Sequence, residues 1–142
     1  MGHRLKSFSA GIPTGISIAP IIPGLNEGDI PELLERGKQA GASEVVTALL
    51  RLPGPVEDVF LERIGQAFPE RLQKITHRIQ EVRGGAMTNN GFFSRHHGNG
   101  PYWNMIEQLF EVTRKKAGFG GLDEAVVPRT FRRPGSEQIA LF

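Results

Sequence analysis

The chain has 142 residues, 39% of them hydrophobic, which is enough for one domain with a buried core, while 18 Gly and 10 Pro demand many turns. It contains no cysteine, and this excludes disulfides, a thiolate nucleophile, a Cys-type zinc site and a conventional iron–sulfur cluster held by this chain. The formal net charge of +2 conceals an asymmetry: residues 1–70 carry 6 Lys/Arg against 9 Asp/Glu, and residues 71–142 carry 11 against 6. A basic second half suits phosphate-backbone binding and equally suits an unevenly charged solvated surface. No apolar run approaches the ~20 residues needed to span a bilayer, and the N-terminus lacks the apolar region of a signal peptide, so the expected location is cytoplasmic.

Arg4 to Ala10 reads as the tail of a helix, with Gly11 as its left-handed stop and Pro13 just beyond. A helix tail is an odd beginning for a chain. Gly15 to Ile22 is short, apolar and β-branched, as expected of a strand buried in a parallel sheet, with Pro20 and Pro23 ending its pairing. Ile30 to Ala40 is predicted to be a helix, with Asp29 as N-cap, Glu32 completing a capping box, Pro31 in the first turn and Gly41 as the stop. Ser43 to Leu52, centred on Val45-Val46-Thr47-Ala48-Leu49-Leu50, is the second strand. Residues 15–52 thus form a β–α–β unit with a crossover helix between parallel strands.

The remainder is predicted to be helical. Val56, Val59, Phe60, Ile64, Ala67 and Phe68 recur at helical spacing, as do Leu72, Ile75, Ile79 and Val82, and then Tyr102, Met105, Ile106, Leu109 and Phe110. Pro69 separates the first two helices. From Gly84 to Gly100 no period appears, and a loop of that length inside a compact domain is often functional. Gly118-Phe119-Gly120-Gly121 reads as a helix stop and turn, since it follows a helix and opens no strand-to-helix transition. Residues 128–142 form an extended tail after a domain spanning 1–127.

In open α/β sheets and barrels, ligands sit beyond the carboxyl ends of the strands. Both strands here end in distinctive residues: Ala19-Pro20-Ile21-Ile22-Pro23-Gly24-Leu25-Asn26 after the first, and Leu50-Arg51-Leu52-Pro53 after the second. Arg51 can pair with a carboxylate or phosphate through its planar fork, or with its neighbours Glu57 or Asp58. The loop contributes Arg83, Arg95, His96, His97, Tyr102 and Trp103, a set suited to phosphates and base stacking but not specific to them. His77, His96 and His97 have no recurring ligand spacing, so no metal site is expected, and His77 reads as a surface residue.

These strand ends, together with Arg83-Gly84-Gly85, Phe92 or Phe93, Arg95 and Gly98-Asn99-Gly100-Pro101-Tyr102, resemble the C-terminal half of bacterial radical S-adenosylmethionine (SAM) proteins, in the branch similar to spore photoproduct lyase and called DNA-repair-photolyase-like. The resemblance runs from about Ile12 to Phe142. It implies an α/β fold, a fragment of a partial (β/α) barrel with two parallel strands, a crossover helix and C-terminal helices. It further implies that Ala19, Pro20, Ile21, Leu50, Arg51 and Leu52 lie near SAM, and that SAM and a 4Fe-4S cluster serve the full-length family. The cluster in that family is held by a CxxxCxxC loop that this chain lacks, so the chain alone is expected to bind no cofactor and to be catalytically inactive. His96 and His97 depart from the Met–Arg-like pair expected there. Ahead of Ile12 the family has the last turn of a longer helix, which implies an internal, frameshifted or mispredicted start at Met1.

Two other readings belong to different classes. One is a nucleic-acid-binding module using Arg83, Arg95, Tyr102, Arg132 and Arg133. The other is an interaction protein that complements a separately encoded cluster-bearing chain, or that self-associates through the apolar surfaces and strand edge a barrel fragment exposes. Gln138-Ile139-Ala140-Leu141-Phe142 resembles the Gln-Leu-x-Leu-Phe peptide that docks on the bacterial DNA sliding clamp, with Gln138, Leu141 and Phe142 as its contacts. A terminal apolar latch onto the helices is the competing reading of the same residues.

Overall fold

The computed structural model describes residues 14–89, 91 and 95–120. The fold is mixed α/β: β1 (Gly15–Ile21), a 3₁₀ turn (Glu27–Asp29), α1 (Ile30–Gln39), β2 (Glu44–Leu49), α2 (Val56–Ala67), α3 (Leu72–Val82) and α4 (Gly100–Lys116). The two strands pair in parallel, Gly15 opposite Glu44 through Ile18 opposite Thr47, with α1 crossing over between them. The expected β–α–β unit is therefore present. Gly37 lets α1 lie close to β1: a Cβ there would press on Ile16 Cδ1, and that side chain would have to shift to make room. Gly41 (φ 94°) and Gly118 (φ 79°) adopt the left-handed conformation that stops α1 and α4, as the sequence suggests.

Two details differ from expectation. Pro20 does not end β1; the strand bulges over residues 19–20, resumes with Ile21 opposite Leu49, and the Ile21 carbonyl accepts a bond from Leu50 N–H at 2.9 Å. The physical reason is that a proline lacking an N–H is tolerated at a bulge, where no ladder bond is required of it. Nor does Asp29 cap α1. The preceding 3₁₀ turn already carries Asp29 into helical geometry (φ −83°, ψ −12°) and its side chain makes no capping bond, while Glu32 pairs with Arg36 at 2.6 Å. A capping side chain needs an extended backbone to reach the first free N–H groups.

Two apolar cores result. The first joins Ile18, Ile21, Val45 and Leu49 of the sheet to Ile30 and Leu34 of α1 and to Trp103 and Ile106 of α4. The second joins Leu50 and Leu52, just after β2, to Ile64, Ile75, Ile79 and Met87. In α3 the predicted stripe is buried throughout except Leu72, which is half-buried. In α2 only Ile64 is buried, and Val56, Val59 and Phe68 of its stripe are exposed.

The side chains of the sheet alternate sharply. Ile16, Ile18, Val45, Thr47 and Leu49 turn toward the helices, whereas Ser17, Ala19 and Val46 (51% exposed) face outward. One face of this parallel sheet is bare among the described residues, although parallel sheets are ordinarily covered on both faces. No helix among those residues is long and apolar enough to cross a membrane.

Candidate functional site

The two strand ends lie side by side because the ladder resumes after the bulge and brings Ile21 against Leu49 and Leu50. Of the residues named from sequence, Ile21, Leu50 and Leu52 are buried, whereas Ala19, Pro20 and Arg51 are exposed. Arg51 makes no ion pair with Glu57 or Asp58, and its guanidinium stands in solvent beside the strand ends.

The turn after β1 is held by side chains of its own sequence. Asn26 Oδ1 accepts from Ile22 N–H at 2.7 Å, and Asn26 Nδ2 donates to the Pro20 carbonyl at 3.0 Å. Glu27 Oε1 accepts from Gly24 N–H at 3.0 Å and from the Tyr102 hydroxyl at the start of α4. The Arg78 guanidinium of α3 lies 4.1 Å over the Tyr102 ring and pairs with Glu81 at 2.5 Å. Burial, followed by the bond to Glu27 and the repulsion of its charge, pushes the Tyr102 hydroxyl up to about 12. Tyr102 thus ties α4 to the β1 turn as a neutral donor. Glu27 and Arg78 drew no notice in the sequence, where Glu27 reads only as one acidic residue before a helix. Their partners lie 75 and 24 residues away, and no local spacing could have marked them.

The turn after β2 is held from outside. Arg83, at the carboxyl end of α3, is only 7% exposed. Its Nη2 donates to the carbonyls of Leu50 and Arg95, both at 2.8 Å, and its Nη1 to the His97 carbonyl at 3.1 Å. Burial lowers its proton affinity, although a guanidinium stays charged under all ordinary conditions. Leu49 N–H donates to the His96 carbonyl at 3.0 Å and Asn99 N–H to the Val82 carbonyl at 2.8 Å. Residues 95–99, at the end of the long loop, are therefore fastened to the strand end and to α3. Arg83, named from sequence as a phosphate contact, spends these donors on carbonyl oxygens inside the protein.

His96 accepts from Arg95 Nε at 3.0 Å, and His97 Nδ1 lies 4.0 Å from Glu107, which also accepts from Trp103 Nε1 at 2.6 Å. His96, His97, Glu107 and Trp103 border a small cavity of about 210 Å³ that Ile21, Ile106 and Phe110 also line. His77 is exposed on α3, as expected. Among the described residues no three His, Asp or Glu side chains come together in a way that suits a metal ion. Arg132, Arg133, Gln138, Leu141 and Phe142 lie outside the described residues, as do Phe92 and Phe93.

Comparison with protein-family models, with curated proteins and with solved structures finds no match for this chain. The residues do not fit an iron–sulfur cluster: the sequence contains no thiolate, the ligand such clusters use. What the strand ends do offer is exposed apolar surface at Ala19 and Pro20, the free guanidinium of Arg51, and two turns fixed by internal hydrogen bonds.

Proposed function

We propose that this chain is the C-terminal part of a radical SAM-like protein of the spore photoproduct lyase or DNA-repair-photolyase-like branch, and that it is not catalytic alone. The observation that carries the reading is the bare face of the parallel sheet, with Ser17, Ala19 and Val46 exposed beside two anchored strand-end turns. A two-stranded parallel sheet open on one face is a fraction of a larger layered structure, because parallel strands gain their stability from burial on both sides. In a completed partial barrel that face lines the interior.

In this reading Ala19 and Pro20 supply apolar and backbone contacts to the adenosine of SAM and Arg51 a cation for its carboxylate, while Ile21, Leu50 and Leu52, buried beneath them, hold the strand ends in place. SAM and a cluster together would supply radical chemistry, but the cluster's ligands must come from another polypeptide segment. The part this chain plays is to position: Asn26 and Glu27 shape one turn, and Arg83 holds the other. The motif resemblance in Arg83-Gly84-Gly85 and Gly98 to Tyr102 supports the same assignment, since Arg83 and Tyr102 are the side chains that fasten the two turns.

The test is complementation. The chain is co-expressed with a polypeptide carrying the CxxxCxxC loop and the earlier strands of such a barrel, purified through a tag on one of them, and assayed anaerobically for 5′-deoxyadenosine release from SAM. Co-purification with turnover, and loss of SAM affinity on Arg51→Ala, are the expected results. Failure of the two to associate, or cluster absorbance and turnover from this chain alone after reconstitution with iron and sulfide, refutes the proposal.

A further inference from the structure

The open edge of β1 has a definite chemical pattern. On β2, Leu50 N–H reaches across to Ile21 while Leu49 N–H points the other way, to His96. Main-chain groups alternate along a strand, so Val45 and Thr47 turn away from β1 like Leu49. In a parallel ladder only one member of each opposed pair directs its groups inward. The register Ile16 opposite Val45 and Ile18 opposite Thr47 therefore turns the groups of Ile16 and Ile18 toward β2. Those of Gly15, Ser17 and Ala19 point to the open edge. The Pro20 carbonyl that follows is capped by Asn26 Nδ2, which ends the edge at Ala19.

We infer that this edge is a self-complementary interface, on which a second copy of this chain adds its own β1 antiparallel, centred on Ser17. A two-fold axis through Ser17 sets Ser17 against Ser17 of the second copy and Gly15 against Ala19, so each opposed pair exchanges two main-chain bonds. Gly15, Ser17 and Ala19, whose outward main-chain groups have no partner among the described residues, then each find one, and Pro20, which has no N–H to give, falls outside the paired stretch. The side chains on the edge residues are absent, hydroxymethyl or methyl, so nothing holds the second strand away. No charged residue occurs between Gly15 and Ile21, although charge is the usual device that keeps sheet edges apart.

The flank of the edge is shaped for the same occupant. Between β1 and α1 runs a shallow cavity of about 470 Å³ lined by Ile16, Ile18, Ile22, Leu33 and Arg36. Leu33 is 44% exposed there. In the antiparallel arrangement the same flank of the second copy, with its half-buried Ile16 and exposed Leu33, faces this cavity. Arg36 is the one charged side chain among its described lining residues, and Glu32 neutralises it at 2.6 Å, so two-fold mates do not repel. The paired stretch is short and one helix flank is added, which places the buried area in the class below ~1,200 Å² and the association in the weak, reversible range. The inference concerns the chain alone and does not depend on the radical SAM reading.

Because the chain has no cysteine, the register can be tested directly. In a hydrogen-bonded antiparallel pair the Cα atoms stand about 5.5 Å apart, inside the roughly 4.4–6.8 Å that a disulfide spans. Ser17→Cys should give a disulfide-linked dimer on mild oxidation, whereas Ala19→Cys, offset from its counterpart by four residues, and Val46→Cys on the bare face should remain monomeric on the same gel. Sedimentation of the unmodified chain over a concentration series should show a reversible monomer–dimer equilibrium, as a small interface of this class predicts. Ser17→Pro removes an edge N–H without touching the β1–β2 ladder, and it should abolish that equilibrium while leaving the far-ultraviolet circular dichroism unchanged. Equal cross-linking of all three cysteine variants, or a monomer at every concentration, overturns the proposal. Should Ser17→Pro fail to fold, the cysteine series still decides.

Discussion

Replacing Arg83 by alanine removes one side chain and orphans three carbonyls, and the structure allows the cost to be worked out. The bond to Leu50 is fully buried, so truncation leaves that carbonyl without a partner in a place water reaches poorly, at about 1–3 kcal/mol. The carbonyls of Arg95 and His97 are only partly buried. Water can replace the guanidinium there, and each contributes about 0.5–1.5 kcal/mol, the net value of an ordinary hydrogen bond. The total, roughly 2–6 kcal/mol, is a large share of the ~5–15 kcal/mol that holds a domain folded. Arg83→Lys should recover only part of it, because an ammonium on a flexible stem cannot reproduce the planar fork. Urea unfolding followed by the fluorescence of Trp103, the only tryptophan and a buried one, measures the loss. A midpoint change equivalent to less than about 0.5 kcal/mol, the range of ordinary surface substitutions, would refute the staple. So would a selective loss of DNA affinity in Arg83→Ala at unchanged stability, since it would assign those donors to phosphate.

Tyr102 is the only tyrosine, so ultraviolet difference titration follows it alone; its ionisation is expected near pH 12 instead of 10, and Glu27→Gln should bring it down. Since the folded value is raised, the stabilisation it reports is fully present below pH 10 and is lost as pH rises through about 12, and Tyr102→Phe should flatten that alkaline decline. Gly98→Ala should destabilise by about 1–3 kcal/mol, because a Cβ there would stand 2.7 Å from the buried Trp103 ring, whereas Gly28→Ala, with nothing within 4 Å, should behave as wild type in the same urea titration. If the basic half binds duplex DNA, Arg95→Ala and Arg132→Ala should each lower the slope of log affinity against log salt by about 0.9, and an unchanged slope in both eliminates the nucleic-acid reading. A peptide of residues 130–142 should bind a bacterial sliding clamp in fluorescence anisotropy and lose that binding on Leu141→Ala with Phe142→Ala; equal signals leave the apolar latch.

The elements were largely legible because their signals are local. The parallel strands, the crossover helix and the three later helices appear from the period of apolar residues and from Gly41 and Gly118, whose left-handed conformations stop helices wherever they stand. The errors lie where a neighbouring turn overrides a single residue: Asp29 was denied its cap by the 3₁₀ turn before it, and Pro20 was absorbed into a bulge. The α2 stripe shows a different boundary, since period reveals that a face is apolar and not whether anything covers it. Val59 is 55% exposed on a helix whose pattern reads as buried.

At the site, residue types at the strand ends are read directly from the sequence, and the lack of thiolates already excludes a conventional iron–sulfur cluster ligated by this chain. What those residues do for one another emerges only when the elements pack together. By residue type Arg83 reads as a phosphate contact, because arginine is mostly exposed and suited to that role. Its three carbonyl partners lie 12, 14 and 33 residues away, at a junction created only when α3 packs beside the end of β2. The same holds for Glu27 with Tyr102. A hydrogen bond depends on distances of a few ångströms between groups far apart in the chain, and local spacing carries no record of them.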